Sequence, residues 1–288
     1  MKKTIRICFT GRPNVGKSTL TNLLLKVPLA IESPRPQTTW YAVRGLLKKP
    51  QANFILTDTP GIHQLIHREQ NKRMNKIAHH AMMDNELICH MITPPSWREE
   101  DEHIRQMIME LNKPCILLVN QVDRFKPSQL LPFMEYVKQK GYVHILPISA
   151  KTGLNVDLMI EDWLQIAPET QYPHLINLEY TEAFLAQEMI REQLMLNLSS
   201  EMPYSTYIEI FRTKQEEKRL LIDVNLHVKH IGQKKIIIGE NGAMIKKIGE
   251  TARKRLQNVL KKRIMLKTWV KVNPQLSENR YIDQYLDS

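Results

Sequence analysis

G-R-P-N-V-G-K-S-T, Gly11 to Thr19, fits the pattern G-x-x-x-x-G-K-[ST] and lies between an apolar run and a helical one. The placement matters as much as the letters. A strand feeding directly into a helix N-terminus leaves a loop of backbone N–H groups aimed at one point. From Asn14 to Ser18 those amides form a nest for phosphate oxygens. Gly11, Arg12, Pro13, Asn14, Val15, Gly16, Lys17, Ser18 and Thr19 are therefore read as a nucleotide-phosphate loop. Lys17 brings a point charge to the outer phosphates, and the Ser18 hydroxyl is a candidate Mg²⁺ ligand.

Around this loop the first half of the chain alternates. Residues 4–10, 53–58, 86–92, 115–120 and 144–149 are short runs rich in Ile, Leu, Val, Phe and Cys. Such runs suit strands buried on both faces of a parallel sheet. Helical stretches lie near 17–27, 67–83, 99–111, 127–140 and 154–166, and 40–48 reads as an additional edge strand. The order implies a doubly wound, mostly parallel α/β domain over residues 1–168. Two prolines in A-P-E-T-Q-Y-P mark a linker, taken as 169–179. From 180 to 288 the order changes to a long amphipathic helix, two strands, a glycine-bounded helical pair and a last strand, a smaller α+β domain.

Asp58-Thr59-Pro60-Gly61 closes a strand 40 residues after Ser18. A carboxylate there suits the Mg²⁺ shell, and the Gly61 N–H suits a γ-phosphate whose departure lets the loop move. The intervening P-R-P-Q-T-T-W offers two hydroxyls; Thr39 is the candidate ligand and Thr38 the alternative. Ile62 stands where a water-orienting glutamine stands in many GTPases, and its side chain forms no hydrogen bond to water. The reading therefore assigns Asn14 to a monovalent cation, K⁺, near the β- and γ-phosphates, so that Asn14, Lys17, Thr39 and Gly61 make up the catalytic set.

N-Q-V-D, Asn120 to Asp123, ends a later strand, where ligands bind in doubly wound sheets. Asp123 can accept from both N1–H and the N2 amine of guanine. Adenine lacks that pair and would leave the carboxylate unsatisfied. Asn120 ties the loop together. In the following Ser149-Ala150-Lys151, the Ala150 N–H is expected to meet guanine O6 while Ser149 braces the turn. Gln121 stands where lysine is usual, which predicts guanine specificity with lowered affinity.

The net charge of +11 is localised: residues 203–273 hold 17 Lys and Arg against 6 Asp and Glu, which accounts for the whole excess. A basic module beside a balanced one points to a polyanion. Within it, I-G-E-N-G-A-M-I-K-K-I places Gly239, Glu240, Asn241 and Gly242 in a turn between helices. Glycines there let a nucleic-acid backbone approach closely, the K-homology mode of gripping single strands. Lys234, Lys235, Lys246 and Lys247 surround the turn with charge, whereas Glu240 opposes phosphate inside it.

Together these motifs resemble the Era family of GTPases over nearly the whole length. P-Y-S-T-Y-I-E-I and L-x-x-W-V-K-V are the most telling, since generic GTPase domains lack them. The resemblance implies a Ras-like P-loop GTPase domain followed by a type II KH domain. It also implies GTP or GDP with Mg²⁺ as ligands and a role in small-subunit ribosome assembly. The KH domain would then bind the 3′ end of small-subunit ribosomal RNA in a 30S precursor. Gln121, Trp40 and Glu240 depart from the family pattern.

No apolar run approaches the roughly 18 residues of a membrane span, and the N-terminal apolar segment is too short for a signal peptide. Cys8, Cys89 and Cys115 lack metal-ligand spacing and read as reduced buried thiols. A cytoplasmic monomer is expected, with peripheral contact at the inner face of the cell membrane as an addition. Two rival readings are an RNA-binding assembly factor with vestigial hydrolysis and a GTPase acting on anionic membrane.

Overall fold

The computed structural model describes residues 3–32, 38–62, 69–166, 181–199 and 201–276. The expected linker at 169–179, residues 34–37 and the end of the chain after 276 lie outside them. Contacts divide the chain into two units, Met1–Ala30 with Thr39–Leu178 and Ile31–Thr38 with Glu179–Ser288. Among the described residues of that segment, Ile31, Glu32 and Thr38 group with the second unit.

The first unit runs β1 (Lys3–Gly11), α1 (Lys17–Leu25), β2 (Val43–Lys48), β3 (Ala52–Asp58), α2 (Glu69–Asp84), β4 (Leu87–Ile92), α3 (Glu99–Glu110), β5 (Cys115–Val119), α4 (Pro127–Lys138), β6 (His144–Pro147) and α5 (Val156–Ile166). Its six-stranded sheet has the order β2-β3-β1-β4-β5-β6. All neighbours are parallel except β2, which pairs antiparallel with β3 at the edge. The strand order reverses at β1, whose neighbours are β3 and β4. The crevice beyond its C-terminal end is where such sheets hold ligands. Every residue of β3 and β4 is buried, as two covering helical layers require. Trp163 of α5 is fully buried, with its ring 6.0 Å from Phe9 and 5.5 Å from Phe54. That contact clamps a helix onto the two strands that carry the site.

The second unit contains α6 (Glu182–Asn197), β7 (Tyr207–Gln215), β8 (Leu220–Val228), α7 (Ile231–Ile238), α8 (Ala243–Leu260) and β9 (Ile264–Val272). β8 is central, antiparallel to β7 and parallel to β9. Parallel pairing requires a crossover, which α7 and α8 supply. β7 begins only at Tyr207, after the P-Y-S-T run. The preceding Met202–Ser205 instead form a 3₁₀ turn that the Thr206 hydroxyl closes onto the Met202 carbonyl at 2.8 Å.

α6 departs from the amphipathic helix that its sequence suggests. Leu185 to Met195 are all buried, including Gln187, Glu188, Arg191, Glu192 and Gln193. The polar face survives burial because its charges are paired. Arg191 meets Glu188 at 2.7 Å, and Arg255 of α8 meets Glu192 at 2.6 Å. Burial pushes the Glu192 carboxyl up, and Arg255 pulls it back.

The three thiols are free, Cys8 and Cys89 being buried, and burial raises the pKa of all three, which makes them inert. His90 of β4 is likewise fully buried, with Nδ1 2.5 Å from the Tyr142 hydroxyl. Burial, reinforced by Arg12 and Lys17, lowers its pKa from 6.5 to about 3. The neutral ring therefore contributes stability that is fully present above the unfolded value of 6.5. That contribution is lost as pH falls toward 3. Urea unfolding of the first unit is expected to weaken by about 1.4 kcal/mol per pH unit below 6.5 from this residue. His90→Asn, although less stable at pH 7, should show a correspondingly flatter slope between pH 6.5 and 4. An unchanged slope would remove His90 from the acid limb.

Candidate functional site

The loop after β1 turns back on itself before α1, with Asn14 at φ 62° and Gly16 at φ 100°. Its side chains divide into two kinds. Val15 is 1% exposed and belongs to the core, and Arg12 is directed to α3, so these two offer the site only their backbone. Lys17 is buried at the head of α1, and its Nζ donates to the carbonyls of Gly11 at 3.1 Å and Arg12 at 2.9 Å. Burial lowers its pKa to about 8, against the pull of Asp58. Phosphate oxygens are better partners for that ammonium than two carbonyls are.

Three expected metal ligands converge. The Ser18 hydroxyl donates to Asp58 Oδ2 at 2.7 Å, lies 3.2 Å from Thr39 Oγ1, and Thr39 Oγ1 is 3.5 Å from the same carboxylate oxygen. Two hydroxyls and a carboxylate form a hard oxygen donor set, the kind that Mg²⁺ prefers. Thr38, the alternative ligand, is buried. Thr59 spends its hydroxyl on the Phe9 carbonyl at 2.7 Å, which pins the D-T-P-G turn to β1. A Cβ on Gly61 would stand 2.7 Å from the Pro13 backbone nitrogen, so this glycine lets the turn touch the phosphate loop. Pro60 is buried there, and Thr19 lies in the first turn of α1. Ile62 is 1% exposed in a hydrophobic cluster with Cys8, Ile88 and Ile104, so its side chain is turned into the core.

Asn120 is also buried. Its Nδ2 donates to the Val15 carbonyl at 2.7 Å, and its Oδ1 accepts the Ala150 N–H at 2.8 Å. The Ala150 amide, expected to meet guanine O6, is thus engaged in holding two loops together. Ser149 braces its turn as expected, accepting the Thr152 N–H at 3.1 Å. Asp123 and Lys151 are exposed. Gln121 sits at φ 64°, donates from Nε2 to the Asn14 carbonyl at 3.1 Å, and accepts from Arg124 at 2.8 Å. It thereby reaches the phosphate loop without bringing charge.

Sequence reasoning missed the anchor of that loop. Arg12 Nε donates to Asp101 Oδ1 at 2.7 Å across 89 residues, with both side chains buried. Asp101 Oδ2 accepts the Arg98 N–H at the start of α3. Burial raises the Asp101 carboxyl, and the hydrogen bond from Arg12 opposes the shift. The only signal was an acidic run, Glu99 to Glu102, which also reads as an ordinary solvated first turn.

In the second unit, Gly239 and Gly242 have φ of 72° and 79°, with Asn241 at 48° between them. Glu240, Asn241, Lys235, Lys246 and Lys247 are exposed and Lys234 partly so. Ile236 beside the turn is 49% exposed, whereas Ile237 and Ile248 are fully buried. The turn therefore presents a positively flanked, partly apolar surface with bare backbone at its apex.

Comparison with known proteins adds the relationships. The family described as 50S ribosome-binding GTPase matches residues 6–121, and the KH domain matches residues 201–275. GTPase Era of Pseudomonas aeruginosa is 35% identical over 277 residues, covering 95% of this chain and 91% of that protein. GTPase Era of Stenotrophomonas maltophilia is 36% identical over 278 residues, covering 95% and 93%. A crystal structure of an Aquifex aeolicus Era variant bound to GDP.AlF4- superimposes with a TM-score of 0.88 at 33% identity, covering 95% of each chain. Era in complex with MgGDPNP and nucleotides 1506–1542 of 16S ribosomal RNA gives 0.90 at 33% identity, covering 100% of this chain and 98% of the other.

The Arg12–Asp101 pair sets an expectation. Asp101→Ala leaves a buried guanidinium without its carboxylate and should cost the first unit about 3 kcal/mol. Mant-GTP should bind more weakly as the loop loses its anchor, with the guanine-over-adenine preference unchanged. Chemical unfolding and a fluorescence titration measure the two effects. Parent-like stability would show that the pair holds nothing in place.

Proposed function

The chain belongs to the Era family of GTPases, and from that membership we propose that it couples GTP hydrolysis to binding the 3′ end of small-subunit ribosomal RNA during small-subunit assembly. Its family is one of P-loop GTP hydrolases, with a KH domain following the nucleotide-binding fold. The observation that carries the reading is the convergence of Ser18, Thr39 and Asp58 beside Lys17 at the switch point of the sheet. An ordinary strand-end aspartate with a Pro-Gly turn gives no reason for that cluster.

The site residues take these roles. The backbone from Asn14 to Ser18 and the Lys17 ammonium hold the triphosphate, while Ser18, Thr39 and Asp58 hold Mg²⁺. When bound, the metal neutralises charge on the β- and γ-phosphates. Asp123, exposed at the mouth, selects guanine, and Asn120 and Ser149 keep its neighbours in place. Gln121 covers the base side of the phosphate loop. Thr39 and Gly61 stand on the two segments whose positions depend on the γ-phosphate.

Because Ile62 is turned into the core, water must be oriented by other groups. Asn14, exposed on the kinked loop, is the residue assigned to K⁺ near the β- and γ-phosphates, where the cation would act electrostatically as an arginine finger does elsewhere. Multiple-turnover phosphate release is expected to run faster in K⁺ than in Na⁺, and Asn14→Ala should abolish that difference. Equal rates in the two salts would discard the K⁺ assignment while leaving GTP binding intact.

For RNA, the proposal assigns backbone contact to Gly239, Glu240, Asn241 and Gly242 and charge to Lys234, Lys235, Lys246 and Lys247. A solved Era complex holds nucleotides 1506–1542 of 16S ribosomal RNA, which supports the same class of partner here. The proposed setting is the cytoplasm, as a monomer acting on a 30S precursor, with any membrane contact peripheral. No helix among the described residues is long and apolar enough to cross a membrane. Each lysine lost from the phosphate contact should reduce the slope of log K against log salt by about 0.7 for single-stranded RNA. Lys246→Ala with Lys247→Ala is therefore expected to flatten the slope by up to roughly 1.4. An unaltered slope would move the interface away from α8.

A further inference from the structure

The small sheet has a second face. On β8, Leu220, Ile222, Val224, Leu226 and Val228 are fully buried, and Asp223, Asn225 and His227 alternate to the other side. Register sets Tyr207 and Lys271 beside His227, Glu209 and Trp269 beside Asn225, and Arg212 and Lys267 beside Asp223. A bulge between Ile210 and Arg212 brings Arg212 onto the face already held by Phe211. Its ring centroid lies 5.6 Å from that of Trp269, with Lys271 Nζ 5.7 Å from the Phe211 ring. Trp269 is 43% exposed and Phe211 48%. On the central strand, Asp223 Oδ1 and Asn225 Oδ1 are buried without a hydrogen-bond partner, so the face is left incomplete by the folded sheet alone.

We propose that this face is a second RNA-contact surface. Unpaired nucleobases stack on Trp269 and Phe211 while Arg212, Lys267 and Lys271 meet the phosphodiester backbone. The inference rests on the RNA-binding reading above and extends it beyond the glycine turn. Exposed aromatic rings interleaved with cations are the standard platform for single strands, because every base has a π-face. A protein-binding patch has a core depleted of charge, whereas here a lysine sits against the aromatic pair. Positive charge also lines the β9 edge of the sheet, where a cavity of about 750 Å³ is bounded by Lys218, Arg219, Arg263, Arg253 and Gln257 of α8, and Met265 and Leu266 of β9. Met265 registers with Leu221 of β8, one residue pair beyond the platform on the same face. Within that cavity wall Arg253 Nε is buried without a partner. A K-homology turn clamps about four nucleotides; a longer strand leaving it has a charged, stacking surface to follow.

The test uses the full chain and two fluorescein-labelled single-stranded RNAs, one of about six nucleotides to fill the turn and one of about thirty. Trp269→Leu with Phe211→Leu keeps the apolar cover and removes stacking. This double variant is expected to lose about tenfold in affinity for the long RNA and nothing for the short one. Gly242→Asp should weaken both. With 4-thiouridine in the long RNA, ultraviolet crosslinks should map to the peptides holding Phe211 or Trp269. Parent-like binding of both RNAs by the double variant overturns the proposal, and so does an equal loss on both, which is general damage to the unit. If the double variant binds RNA normally but no longer joins the small-subunit precursor, the face serves a protein and the RNA assignment is wrong. Gly242→Asp separates the two claims: weakening by that change alone preserves the RNA-binding role and removes only the second surface.

Discussion

One buried carboxamide holds the nucleotide site together. Asn120 donates to Val15 of the phosphate loop, 105 residues away, and accepts from Ala150 of the last loop. Three connections that emerge from different strands are thereby fixed at hydrogen-bond precision. Removing the side chain would leave a buried carbonyl and a buried amide unsatisfied, each at about 1–3 kcal/mol. The same contact explains a glycine. A Cβ on Gly16 would lie 2.2 Å from Asn120 Nδ2, and φ at that position is 100°. The phosphate loop is therefore shaped by the end of β5 as much as by its own sequence.

That rigidity has an electrostatic counterpart. Lys17 and Arg12 are cations buried a few residues apart, and each is held differently. Arg12 has a permanent carboxylate in Asp101, whereas Lys17 rests on two neutral carbonyls. Loss of water pushes the Lys17 ammonium toward neutrality, with a smaller push from Arg12 and against the pull of Asp58. An incoming triphosphate relieves this strain by supplying the counter-charge. The energy so released is available only with ligand present, which is how a preorganised site converts an unfavourable empty state into affinity. Asp101 thus separates a structural cation from a functional one.

Much of this was legible in the residues because backbone period and motif spacing agree. The strand at Ile264–Val272 and the helix heads at Lys17, Glu99 and Pro127 fall where pattern and turn chemistry put them. The convergence of Ser18, Thr39 and Asp58 follows from the adjacent ends of β1 and β3, with Thr39 on the segment leading into β2. What was not legible depends on partners far away in sequence. The buried polar face of α6 looks amphipathic until Arg255 is placed beside Glu192. The Ala150 amide looks free until Asn120 is placed beside it. Asp101 is indistinguishable from Glu99 and Glu100 in a run of acids, and only tertiary structure singles it out. The expected 169–179 linker lies outside the described residues and stays an expectation.

The second unit follows a different logic from the first, since the polyanion affinity proposed for it would come from surface and not from a closed cavity. Its glycine turn offers backbone, but Glu240 at the apex repels phosphate, so the turn alone is a poor grip. Charge must then come from the flanking lysines, and charge alone carries no preference for one strand conformation over another. On the proposed second surface aromatic rings would supply that preference, because only unpaired bases can be splayed onto them. The segment has few aromatics, yet strand alternation at Phe211 and the register of Trp269 bring two of them together on one exposed face. A chain evolved only for solubility gains nothing by exposing a tryptophan there. An exposed ring pair flanked by Lys271, Lys267 and Arg212 makes sense where discrimination, and not mere attraction, is required.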